Sequence, residues 1–215
     1  MSRNVKVVPA ILTDDPSALK QMARQAETFT DFVQIDIMDG RFVPSRSVTR
    51  EQLIGLPEKL KWEAHLMVED PGEYVADLKR AGASKVIFHH EATTSPHEVI
   101  SRARELEVDI GLAINPETQV SAIVPYMNQV DSILLLTVTP GFYGSKFIPE
   151  AMDKVAELRT VKSGIEIGVD GGVKENNIRE IASAGVDYIC VGSAVFLQPD
   201  PAESYCHLQS LVQGY

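Results

Sequence analysis

Two aspartates lie in apolar sequence, and their placement is the first indication of chemistry. Asp36 lies inside the apolar run at residues 32–37, and Asp170 directly follows the run at residues 165–169. A charged carboxylate inside an apolar strand costs free energy unless another group pairs with it or coordinates it. Two such groups facing one cavity could act as a general acid and a general base. The alternative is that each aspartate caps a neighbouring loop.

Histidines lie in two other apolar runs. His65 belongs to the run at residues 62–67, and alternation along a strand places it on the same side as Glu63 and Met67. Its imidazole could ligate a metal ion or orient another group, and the alternative is a core histidine with satisfied hydrogen bonds. His89 and His90 end a further run, and only one of the two can point to that side. They are weaker candidates.

Glycines follow the last three apolar runs. Because glycine has no side chain, backbone N–H groups beside it can approach an anion closely. Loops after the last strands of a barrel, with a short helix such as one starting at Ser193, commonly bind phosphate. Ordinary turn glycines are the alternative. The candidate phosphate-binding residues are Gly141, Gly144, Gly171, Gly172, Gly192 and Ser193.

The elements that must position these residues alternate along the chain. Eight short apolar runs, at residues 5–12, 32–37, 62–67, 85–89, 109–114, 132–137, 165–169 and 188–191, predict parallel strands. Helix signals follow each of them, at residues 15–30, 49–55, 70–81, 95–106, 120–127, 149–160, 176–184 and 201–212. Eight such units predict a (β/α)8 TIM barrel. The alternative is a doubly wound sheet, but no dinucleotide-binding fingerprint follows the first run.

Composition limits the class of protein and its partners. The chain has 215 residues, which we interpret as one domain over residues 1–215, and its net charge is −10. That charge argues against nucleic-acid partners and against binding to an anionic membrane. No apolar run is long enough to span a bilayer, and the first residues lack the apolar core of a signal peptide. With only two cysteines, a reducing, cytoplasmic location is expected.

Five motifs together resemble the ribulose-phosphate 3-epimerase family. They are VQIDIMDGRFVP (residues 33–44), AHLMV (64–68), TVTPGF (137–142), VDGGV (169–173) and VGSAVF (191–196), in the family's order and over nearly the whole chain. The resemblance implies a TIM barrel, often a homo-oligomer, that interconverts D-ribulose 5-phosphate and D-xylulose 5-phosphate. One aspartate removes the C3 proton to give an enediolate, and a second returns a proton on the opposite face.

The resemblance also assigns roles to residues of this chain. Asp36 and Asp170 match the acid–base aspartates, which also bind a divalent metal, commonly zinc or iron, and His65 matches a metal-binding histidine. Met38 and Met67 match methionines that line the site. The candidate substrate and phosphate contacts are Gly141, Phe142, Gly144, Gly171, Gly172, Gly192 and Ser193.

The chain departs from the family pattern at the metal site. Gln34 stands where the family usually has a second metal-binding histidine, and an amide oxygen is a poorer zinc ligand than an imidazole. A set of Gln34, Asp36, His65 and Asp170 would suit Mn²⁺ or Mg²⁺ better than Zn²⁺, or would hold no tight metal. Ala10, Leu136, Thr139 and Tyr143 are further departures around the expected cavity.

Three hypotheses follow from this pattern. The first is a ketose-phosphate 3-epimerase acting on ribulose 5-phosphate. The second is a related enzyme with another ketose phosphate as substrate or with a metal-free mechanism. The third is a non-catalytic protein that binds sugar phosphates, and the paired aspartates argue against it. Fold alone does not separate the three.

Overall fold

A closed barrel of parallel strands is the centre of the molecule. The computed structural model describes residues 4–141 and 145–214. The strands pair in sequence order, and the last pairs with the first, which confirms the predicted TIM barrel. Each strand overlaps the apolar run that predicted it. The strands are β1 (Lys6–Ile11), β2 (Phe32–Met38), β3 (Lys61–Met67), β4 (Lys85–His89), β5 (Asp109–Ile114), β6 (Ser132–Leu136), β7 (Glu166–Asp170) and β8 (Tyr188–Val191).

Helices surround the barrel. The first begins as the sequence predicts, because the Asp15 side chain accepts a hydrogen bond from the Ser17 N–H and Pro16 occupies the first turn. In the described part of the chain, none is long and apolar enough to cross a bilayer. The helices are α1 (Pro16–Ala26), α2 (Val75–Ala81), α3 (Pro96–Glu105), α4 (Asp153–Val161), α5 (Ile178–Ser183), α6 (Ser193–Phe196) and α7 (Pro201–Leu211).

Two of the predicted helices are wrong. Residues 49–55 form only the 3-10 turn Arg50–Leu53, and residues 120–127 form the 3-10 turns Val120–Ala122 and Val124–Tyr126. Pro125 lies in the second segment, where it lacks the N–H that a continuous helix needs. Gly55, with a φ of +84°, turns the chain away after the first segment. The connections from β2 to β3 and from β5 to β6 therefore contain 3-10 turns in place of α-helices.

The larger apolar core lies between the strands and the helices. Outward-pointing strand residues such as Ile35, Leu66 and Phe88 are fully buried in it. Because burial of such a side chain contributes about 1.5–3 kcal/mol, this layer holds the helices against the barrel. The alternate strand positions point to the barrel axis, where Ile87 and Leu134 belong to a smaller apolar cluster. Buried polar side chains of the strands, such as Asp36 and Glu63, lie above and below that cluster.

Candidate active site

The registers of β2 and β3 bring the predicted site residues together. Alternate residues of a strand point to the same side, so Gln34, Asp36 and Met38 of β2 all face the barrel axis. In the ladder between the two strands, Asp36 lies opposite His65 and Met38 lies opposite Met67. A register shift of one residue would turn this whole set away from the axis. The pairing of two neighbouring strands thus builds one side of the site.

Asp170 completes a compact group from the other side of the barrel. The Nδ1 atom of His65 lies 3.0 Å from Asp36 Oδ1 and 3.2 Å from Asp170 Oδ2. His65 is completely buried, and Asp36 is 7% exposed. The structure therefore brings together the three residues that the sequence singled out first.

The two carboxyl groups favour the protonated, positively charged form of the His65 imidazole. Burial disfavours the imidazolium, but hydrogen bonds to Asp170 and Asp36 outweigh it and raise the pKa of His65 to about 10. Burial and the neighbouring Asp170 raise the pKa of Asp36. A raised pKa favours the protonated carboxyl group, which is the form that a general acid requires.

The three side chains also have the donor chemistry of a divalent metal site. One ligand atom from each of Asp36, His65 and Asp170 lies within 4.8 Å of the others. Two carboxylates and an imidazole suit several divalent ions, so the donor set fits the metal that the family resemblance implies. The amide of Gln34 is placed differently: its nitrogen, not its oxygen, faces the carboxylates, at 2.8 Å from both.

A second histidine, His89, contacts the ring nitrogen of His65 that points away from the carboxylates. His65 Nε2 lies 3.0 Å from His89 Nε2, and His89 Nδ1 lies 3.4 Å from the carboxylate of Glu91. Glu91 also accepts hydrogen bonds from the Asn115 N–H and the Thr118 hydroxyl. Burial opposes its charge, yet the bonds from His89, Thr118 and the Asn115 N–H lower the pKa of Glu91 to about 2.

These contacts favour one arrangement of protons on the two imidazoles. At 3.4 Å, the charge of an ionised Glu91 favours a proton on His89 Nδ1, and His89 Nε2 then accepts from the Nε2 proton of His65. The Nδ1 atom of His65 is then the atom that faces the carboxylates. Of the two adjacent histidines, His89 is the one that points to the axis, whereas His90 lies on the outside with its ring 5.8 Å from that of Tyr126.

The glycine-rich loops form the open side of the same cavity. Gly171 and Gly172 have φ values of +111° and +66°, which favour glycine, and a Cβ atom at Gly172 would lie 2.9 Å from the Phe147 backbone. Phe142 and Gly144 lie outside the described residues. The sequence-predicted residues that line the cavity with Asp36, His65 and Asp170 are Met38, Met67, Gly141, Gly171, Gly172, Gly192 and Ser193. Ala10 and Leu136 also line it, as apolar wall.

Sequence reasoning missed a lysine beside the glycines. Lys174 lines the cavity and its Nζ atom donates a hydrogen bond to Ser193 Oγ at 2.7 Å. Its position directly after the sequence Gly171-Gly172-Val173 could have indicated it, because a cation beside a glycine-rich loop suits an anion. The pairing of His89 with Glu91 was also missed, and the close spacing of the two residues is the only local signal for it.

The chain has the architecture of a TIM-barrel enzyme. Its closed barrel carries carboxylates, an imidazole and glycine-rich loops at the carboxyl ends of the strands, where such enzymes have their active sites. The model of the ribulose-phosphate 3-epimerase family matches residues 6–196. The chain belongs to this family, whose members are isomerases.

Known proteins agree with this assignment. The ribulose-phosphate 3-epimerase of Escherichia coli K12 is 39% identical over 202 residues, which cover 90% of each chain. That of Synechocystis is 37% identical over 95% of this chain and 93% of its own. The crystal structure of 3-hexulose-6-phosphate synthase from Salmonella typhimurium superposes with a TM-score of 0.74 over 97% of this chain and 98% of its own, at 20% identity. That last similarity concerns the fold alone.

Proposed function

We propose that this protein is a ketose-phosphate 3-epimerase that interconverts D-ribulose 5-phosphate and D-xylulose 5-phosphate. The observation that carries the proposal is the group of Asp36, His65 and Asp170, in which two carboxylates from different sides of the barrel approach one imidazole at 3.0 and 3.2 Å. The names of the relatives support the substrate. Epimerisation needs an acid and a base on opposite faces of one carbon, and this pair supplies both.

The two aspartates would divide the proton transfer. Asp170 takes the C3 proton, and the electron pair of the C3–H bond forms the enediolate with the adjacent carbonyl group. Asp36, whose pKa is raised by burial, gives its proton to the opposite face of C3. Asp170 ends protonated and Asp36 ionised, and the reverse reaction uses the two residues in the opposite roles.

Asp36, His65 and Asp170 are the residues that would hold a divalent metal. When bound, such an ion would stabilise the negative charge that develops on the substrate oxygens. Met38, Met67 and Leu136 give the cavity apolar walls that exclude water from the reacting carbon. The phosphate group would lie against Gly171, Gly172, Gly192 and Ser193, with the charge of Lys174 beside it.

Exchange of the C3 proton with solvent tests the proposal. Purified protein is incubated with ribulose 5-phosphate in D2O, with Zn²⁺, Mn²⁺, Fe²⁺ or Mg²⁺ in turn, and NMR follows deuterium at C3 and the appearance of xylulose 5-phosphate. Turnover that falls about 10²–10⁴-fold in both Asp36→Asn and Asp170→Asn is expected. Near-normal exchange in either variant would remove that residue from the mechanism.

The other hypotheses are outcomes of the same experiment. Faster exchange on another ketose phosphate would indicate a changed substrate. Calorimetric binding of sugar phosphates without exchange on any of them would indicate a binding protein. The identity of the metal, a homo-oligomeric state, a cytoplasmic location and a single domain over residues 1–215 stay predictions.

A further inference from the structure

The amide of Gln34 lies between the two aspartates and contacts both. Its Nε2 atom lies 2.8 Å from Asp36 Oδ1 and 2.8 Å from Asp170 Oδ2, and the side chain is completely buried. A primary amide has two N–H donors, and this arrangement uses one for each carboxylate. Gln34 therefore joins a residue of its own strand β2 to a residue of β7.

Cys190 contacts the oxygen atom of the same amide. Its Sγ atom lies 3.0 Å from Gln34 Oε1, and both side chains are buried. A thiol is a weak donor, so it suits the amide oxygen. Reversal of the amide would place its oxygen against two carboxylate oxygens and would leave its N–H groups facing sulfur. Contacts at both ends thus favour one orientation.

We propose that Gln34 is a positioning residue that ties Asp36 and Asp170 into one acid–base pair, and that Cys190 keeps its amide oxygen away from the metal donors. A divalent ion at this site then has three protein ligands, and Gln34 is not a fourth. This inference deepens the proposed function, because it rests on Asp36 and Asp170 as the acid–base pair.

A positioning amide and an oxygen ligand at residue 34 have different measurable effects. A ligand contributes to metal affinity, whereas an amide that donates to the carboxylates contributes to their geometry. Removal of such an amide leaves the three metal donors present, but it lets the two carboxyl groups move apart. The effect is then expected on kcat more than on metal binding or KM, since general acid–base transfer depends on the placement of the carboxylates.

Gln34→Leu is the first variant, because leucine has no donor or acceptor. Zn²⁺ and Mn²⁺ affinity is measured without substrate by competition with a chromophoric chelator, and kcat and KM are measured on ribulose 5-phosphate. We expect a kcat lower by about 10–100-fold even at saturating metal, in the range that misplacement of a reacting group costs, and a smaller loss of metal affinity, because all three metal ligands stay present. A kcat at saturating metal within about threefold of the unmodified protein would overturn the proposal.

Cys190→Val is the matched variant, since it removes the thiol donor and keeps a buried side chain of similar size. The amide of Gln34 can then reverse and offer its oxygen to the metal, so we expect metal affinity to rise about 3–10-fold, as an added ligand implies. If Gln34 already ligates the metal through oxygen, this variant leaves the affinity unchanged, and that result contradicts the inference.

A measurement on the unmodified protein serves if Gln34→Leu does not fold. NMR of the Gln34 side-chain amide, with and without Zn²⁺, is expected to show both N–H protons hydrogen-bonded in either state. Loss of those hydrogen bonds when Zn²⁺ binds would overturn the inference. Absence of C3 exchange in the unmodified protein on every ketose phosphate would instead refute the proposed function, while the metal-affinity results still decide the role of Gln34.

Discussion

The two ends of the barrel axis carry the same arrangement of charges. At the carboxyl end, His65 lies between Asp36 and Asp170 at 3.0 and 3.2 Å. At the amino end, Lys85 Nζ lies 3.2 Å from Glu63 and 2.8 Å from Glu166. In each case one nitrogen joins two carboxylates from different strands.

The ends differ in the chemistry of the nitrogen and in what surrounds it. Lys85 is a cation without an acceptor, and Tyr188 fills the axis beside it, with its ring centroid 5.2 Å from Nζ. A Cβ atom at Gly168 would lie 2.1 Å from that ring, so the tyrosine occupies the space of a side chain. His65 can lose its proton to serve as a ligand, and it faces a cavity bordered by glycine-rich loops. The same arrangement of charges can therefore stabilise the fold at one end of the barrel and form the proposed catalytic group at the other.

Lys85→Met, at the amino end, is expected to have the largest effect. The variant leaves Glu63 buried without its cation, so we expect the free energy of unfolding to fall by about 3–5 kcal/mol in urea titrations. The kcat of the folded fraction stays unchanged, because Lys85 is remote from the reacting groups. The double variant Lys85→Met/Glu63→Gln, which removes the unpaired charge, is expected to regain much of the stability. An unchanged unfolding midpoint in Lys85→Met would show that the amino end does not stabilise the fold.

Glu91→Gln tests the support of His65 at the carboxyl end. The neutral amide no longer fixes the proton on His89 Nδ1, so His65 loses the support that presents its Nδ1 atom to a metal. We expect Zn²⁺ affinity to fall by about 10–100-fold, the usual effect of groups that orient metal ligands. Chelator competition measures it, with His90→Gln as the control, since His90 lies outside the barrel axis. Equal affinity in both variants would contradict a role for Glu91.

Lys174→Met would have the smallest effect. Its amine is exposed and therefore screened, so we expect KM for ribulose 5-phosphate to rise by about tenfold at low salt and by less at high salt. The kcat is expected to change little, since the proposed place of the phosphate beside Lys174 is away from the reacting carbon. Lys61→Met, at the amino end of β3, is the matched control. A KM change that does not depend on salt would argue against a charge interaction with phosphate.

Much of the fold and part of the candidate site could be predicted from the sequence. Apolar runs identify the strands, because a parallel sheet buried under helices needs continuous apolar sequence. Alternation within those runs predicts that Asp36 and His65 face one side. The glycines after β7 and β8 predict the loops around the cavity. Local signals were insufficient at residues 120–127, where Pro125 divides a predicted helix into two 3-10 turns.

The order of elements and the set of side chains that point to the axis are therefore encoded locally in the sequence. Which of these side chains meet depends on the closed barrel. The orientation of the Gln34 amide depends on Asp170 and Cys190, which lie 136 and 156 residues further along the chain. The pairing of His89 with His65 depends on the register between β3 and β4. Periodicity along one strand fixes the face of a residue, but the closure of the barrel fixes its partner across the axis.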